Sequence, residues 1–103
     1  MTLEDLLDFS DSSMPGEKVG AAIGIRVHIE SSPSIAFDQR IIQAIRTLLC
    51  DIESRVRFRA VEAIGAGPKL ASTFQEELES ISRSDSNNIV RKKARELLEQ
   101  YSG

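Results

Sequence analysis

Asp51-Ile52-Glu53-Ser54-Arg55-Val56-Arg57-Phe58-Arg59-Ala60 is answered later in the chain by Asp85-Ser86-Asn87-Asn88-Ile89-Val90-Arg91-Lys92-Lys93-Ala94. Asp, Val, Arg and Ala agree at a displacement of 34 residues, and Ile64 recurs as Leu98 at the same displacement. A fixed period of this size marks a repeat array. Each unit is then a helix pair that buries its apolar face only by stacking on its neighbours.

Outward from these segments the helical period continues. Ile41, Ile45, Leu48 and Leu49 draw one apolar stripe after Asp38, a capping residue, and the helix should stop near Cys50-Asp51. A second helix runs from about Ser54 to Ile64 with Val56, Ala60, Val61 and Ile64 inward. It ends at Gly65-Ala66-Gly67-Pro68, because proline cannot continue the hydrogen-bond ladder. Ala60 and Ala94 are small where helix axes approach. Leu70, Phe74, Leu78 and Ile81 form the stripe of a single next helix, with Ser72 to Gln75 or Thr73 to Glu76 as capping boxes, and Ile89 to Tyr101 carries the last.

The N-terminal third is less regular. Leu3, Leu6 and Leu7 suggest a short helix capped by Thr2, followed by the breaker-rich stretch Ser10 to Gly16. Val19, Ala22, Ile23, Arg26 and Val27 then lie at helical spacing, while Ile23, Ile25, Val27 and Ile29 alternate as in a strand. A lone strand would leave its backbone groups unpaired, which favours the helix. The strand reading requires another chain to supply an edge.

The doubled Asp-x5-Arg spacing, with Val before the Arg and Ala three positions after it, resembles the HEAT repeats, including the short HEAT-like units of phycobilisome lyases. The resemblance covers about residues 38–101. It implies an all-α fold: a short α-solenoid of two to three stacked antiparallel helix pairs in a right-handed superhelix. One domain, 1–103, would hold a degenerate unit or cap at 1–32 and repeats at 35–67 and 69–101. An Asp in the turn and an Arg one helical turn later can meet, and the Arg can also reach the Asp of a neighbouring unit. Asp51, Arg57, Asp85 and Arg91 are therefore read as a structural ladder of charge-assisted hydrogen bonds. Aligning Val19 with Val56 and Val90 places Gly20 at the Arg position and Met14 at the Asp position, so the ladder is expected to be absent from the first unit, which is either an atypical cap or not a repeat at all.

Composition bounds the function. With 103 residues, 41% apolar and 28% charged, the chain has the make-up of one ordinary globular domain. No apolar run is long enough to span a bilayer and the first residues lack a signal's basic start, so no membrane association and a cytoplasmic setting are expected. The single Cys50 reads as a buried, inert thiol, and His28 has no second ligand for a metal. Net charge is -3, divided unevenly: residues 1–38 hold seven acids against Lys18 and Arg26, and the rest holds nine acids against eleven bases.

No nucleophile with a base, no paired carboxylates in unlike environments and no metal cluster is visible, so an enzyme is not expected and no cofactor is implied. Glu76, Glu77 and Glu79 read as a solvated helix face. A non-catalytic protein-interaction or adaptor module is the leading expectation. Its protein partner would meet the face of the second helices, with Arg55, Arg59, Lys92 and Arg95 as contacts. Two alternatives remain: binding of a nucleic-acid phosphate backbone through the basic stripe, and self-association as a homo-oligomeric scaffold through residues 19–29.

Overall fold

Thr2 opens the first helix with a capping box: its hydroxyl accepts from the Asp5 N–H while the Asp5 carboxylate accepts from the Thr2 N–H. From there the computed structural model, which describes residues 2–101, is helical throughout its regular elements. The helices are α1 (Leu3–Ser10), α2 (Pro15–Ser31), α3 (Gln39–Leu49), α4 (Ser54–Gly65), α5 (Pro68–Thr73), α6 (Gln75–Ser84) and α7 (Asn88–Tyr101), with a 3-10 turn at Pro33–Phe37. Proline begins α2 and α5, where its missing N–H costs nothing. Asp38 caps α3 by accepting from the Arg40 N–H at 2.8 Å.

The ambiguous segment 19–30 is helical. Inside α2 every interior backbone group is satisfied locally, so no second strand is needed. Its β-like alternation arises because α2 is apolar on several sides: Ala21, Ala22, Ile25 and Ile29 are buried, while Val27 is 47% exposed.

Helices pair with their sequence neighbours, α1 with α2, α3 with α4 and α6 with α7, and α4 also packs against both α2 and α7. One apolar cluster runs through all of them, from Leu6 through Ile25, Ile45, Val61, Ile64 and Phe74 to Leu97. Small residues set the closest approaches. A side chain at Gly24 would collide with Leu6, and a Cβ at Gly65 would meet Leu97 Cδ2 at 2.9 Å. Ala60 and Ala94 are fully buried. Ala60→Leu and Ala94→Leu should each lower stability by about 1 to 3 kcal/mol in urea denaturation, since extra methylenes there must displace a neighbouring helix. Unchanged midpoints would contradict this packing.

Two local expectations are corrected. The stripe Leu70, Phe74, Leu78, Ile81 is divided between α5 and α6 by a break at Phe74, and neither capping box forms. Instead the Thr73 hydroxyl donates back to the Lys69 carbonyl at 3.1 Å, and Phe74 is buried at the bend. Cys50 is exposed, because it sits one residue past the last turn of α3, where the chain turns toward solvent.

Candidate functional site

The turns before α4 and α7 share one construction. The Asp51 carboxylate accepts from the Glu53 N–H at 3.0 Å, and the Asp85 carboxylate accepts from the Asn87 N–H at 2.9 Å. Such side-chain turns stabilise the chain reversal that precedes a helix. Arg57 then reaches across. Its Nε and Nη2 donate to the two Asp85 oxygens at 2.8 and 3.0 Å, while Nη1 donates to the carbonyls of Asp51 and Ile52 at 2.8 and 3.0 Å. One guanidinium thus closes its own turn and grips the next. The side chains of Arg57 and Asp85 are only 12% and 5% exposed, so this bidentate pair is well shielded from water. Arg91 repeats the inward half: its Nη1 donates to the Asp85 carbonyl.

The first helix pair has an equivalent that the register through Val19 conceals. Lys18, Arg57 and Arg91 are each the fourth residue of their helix. Lys18 Nζ lies 2.6 Å from Asp51 Oδ1, so it reaches the next turn as Arg57 does. On this register Ala21, Ala60 and Ala94 coincide, all fully buried, and Ile25, Ile64 and Leu98 follow. Ser12 falls where the other turns carry aspartate, and its Oγ accepts from the Met14 N–H at 3.0 Å, the same turn without the charge. No helix precedes α1 among the described residues to offer that position a cation. The spacing Lys18-x2-Ala21-x3-Ile25 was the available signal. It is one residue out of step with Val19, and a lysine at the Arg position hides it.

Burial alone would raise the Asp51 and Asp85 carboxyls. The hydrogen bonds from Lys18 and Arg57, with the backbone N–H groups of Glu53 and Asn87 and the nearby cations, outweigh it and hold both below the usual carboxylate range. A carboxyl whose folded value lies below its unfolded value stabilises the fold above the unfolded value, and that contribution is lost as pH falls through the folded one. Stability should therefore be flat near neutrality and fall below about pH 4. Asp85→Asn should flatten the acid limb of urea midpoint against pH; an equally steep limb would contradict this role.

Beside the ladder the starts of α4 and α7 come together. Arg55, Phe58 and Ser54 of the α4 start face Asn87, Ile89 and Val90 of the α7 start across a shallow groove. Ile89 is 62% exposed. Lys92, one turn beyond Ile89, is exposed, as is Arg55. Arg59 is engaged: its Nη1 pairs with Glu62 at 2.7 Å and its guanidinium lies over the Phe58 ring at 5.5 Å. Arg95 does not join this group. It leans toward α6, with Nη2 at 3.5 Å from the Ser82 carbonyl. The structure thus places Arg55, Arg59 and Lys92 around the α4/α7 face and Arg95 apart from them.

Phe58 and Ile89 are surface features of this groove that charge-based reading passed over, since each looks like a core residue in a list of apolar positions. A second apolar surface pocket lies between Pro33, Ala36 and Phe37 on one side and Gly67, Pro68 and Lys69 on the other. Among the described residues no group of three or more His, Cys, Asp or Glu is placed to hold a metal ion. No helix there is long and apolar enough to cross a membrane. Comparison with protein-family models, with curated proteins and with solved structures returned no match.

Proposed function

We propose that this chain is a short HEAT-like α-solenoid of three antiparallel helix pairs, working as a cytoplasmic, non-catalytic protein-interaction module. Its binding surface is the outer face of α2, α4 and α7. Support for the stacked arrangement comes from the three equivalent turns and the Lys18, Arg57 and Arg91 series. Polar residues at the two ends agree with it. Glu17 stands where α4 and α7 carry Val56 and Val90, and Arg95 and Glu99 stand where α4 carries Val61 and Gly65. Terminal units of repeat arrays need polar outer faces for this reason.

The observation that carries the functional reading is the apolar side chain left exposed at the α4/α7 groove, Ile89, with Arg55 across from it and Lys92 one turn along. Apolar groups rimmed by polar ones mark contact sites. A nucleic-acid backbone is less well served. Within the basic stripe Arg57 is held by Asp85 and Arg59 by Glu62, which thins it for a phosphate backbone. Self-association through 19–29 draws less support too, since Ile25 and Ile29 are wholly inside.

Photocrosslinking tests the reading. A photoreactive residue placed at position 27 or 92 should capture a protein that the same residue at position 76, on the α6 surface, does not. Capture of nucleic acid, or equal capture from all three positions, would contradict it.

A further inference from the structure

We infer that the groove between the starts of α4 and α7 takes a short acidic segment of a partner protein carrying one large apolar residue between carboxylates. This rests on the module reading above and names its ligand. The groove has an apolar floor, Phe58 and Val90, with Ile89 standing exposed at its α7 edge. Arg55 lines the α4 edge and Lys92 stands one helical turn along α7. The acids around it are largely spent: Glu62 is bound to Arg59 and Asp85 to Arg57. Glu53 and Glu96 remain, exposed, one before α4 and one beyond Lys92. Both helices also begin here, and their N-terminal dipole ends add to the positive potential. Ile52, in the turn that leads into α4, is 90% exposed.

An apolar side chain of the segment would insert between Phe58 and Ile89, and carboxylates on either side would meet Arg55 and Lys92. Other occupants fit worse. A nucleic-acid strand needs aromatic rings on which successive bases stack, and Phe58 is the one ring among the residues that line the groove. A second copy docked through the same patch would set Arg55 and Lys92 against their own symmetry mates.

The test is selection from a library of random dodecapeptides against the full chain, followed by fluorescence anisotropy of the enriched sequences. Expected are sequences with a large apolar residue flanked by Asp or Glu, bound more tightly at low salt. Ile89→Asp and Arg55→Glu should each weaken them about tenfold or more. Both positions are exposed, so both variants should fold, as circular dichroism will check; Ile89→Ser substitutes if Ile89→Asp does not. Enriched sequences that lack acids, or that bind these variants as well as the parent chain, would overturn the proposal. If binding instead falls with Val27→Asp on α2, the groove is wrong and the module reading stands. If no peptide enriches and photocrosslinking captures no protein, both fall.

Discussion

Arg57→Ala is expected to lower stability by about 3 kcal/mol, read as a drop in urea midpoint at neutral pH. The size follows from what the guanidinium satisfies at once: the carbonyls of Asp51 and Ile52, and both oxygens of Asp85. Truncation leaves the Asp85 carboxylate buried, with the Asn87 N–H and the charge of Arg91 in place of a bidentate partner. Breaking one side of a buried ion pair costs more than the pair itself contributes, because the remaining charge keeps its desolvation penalty. Arg57→Lys should recover only part of the loss, since an ammonium lacks the planar fork that spans two carboxylate oxygens and two carbonyls. A loss below about 1 kcal/mol for Arg57→Ala would place this pair with ordinary surface ion pairs.

Ile25→Asp should abolish cooperative folding. Ile25 is wholly buried within the apolar cluster that joins α1, α2 and α4. A charge without a partner in such a site costs more than most single substitutions, on a scale of several kcal/mol against a total of roughly 5 to 15. Val27→Asp, on the same helix but 47% exposed, should change stability by about 0.5 kcal/mol or less. Circular dichroism and urea denaturation of the pair separate the core side of α2 from its outer side. A folded Ile25→Asp protein would mean that α2 does not present this face to the core.

The contrast shows what was legible along the chain. Repetition carried the last two helix pairs: Val56, Ala60 and Ile64 and their counterparts recur in register, and Asp-x5-Arg pointed to residues that the structure joins through Arg57 and Asp85. Helix α2 resisted because apolar residues on its exposed side, Val27 among them, erase the one-sided stripe on which periodicity depends. Its β-branched residues then mimicked strand alternation. The first unit's rung was missed because matching by residue type favoured Val19, whereas the working equivalence is positional, with Lys18 fourth in its helix and Ser12 replacing Asp. The break at Phe74 could not be read from spacing, since Leu70 and Leu78 keep helical separation across it.

Surface chemistry was less legible than the scaffold. Local charge density grouped Arg55, Arg59, Lys92 and Arg95, yet whether a cation is free depends on which neighbours its side chain reaches in the fold. Arg95 leans toward Ser82 on α6, and Arg59 is held by Glu62 and covers Phe58. Apolar exposure is equally hidden. Ile89 and Val90 are adjacent and chemically alike, but one is 62% exposed and the other buried, because Val90 packs into the core cluster while Ile89 stands at the open edge of the groove.

A double-mutant cycle on Lys18 and Asp51 tests most directly whether α1 and α2 form a unit joined to the next as α3 and α4 are joined to theirs. The single substitutions Lys18→Met and Asp51→Asn and their combination are compared by urea denaturation. With side chains 20% and 10% exposed and 2.6 Å apart, the two groups should show a favourable coupling of about 1 kcal/mol. Additive effects, with no coupling beyond error, would contradict the placement of Lys18 as the first rung and with it the reading of the chain as three equivalent units.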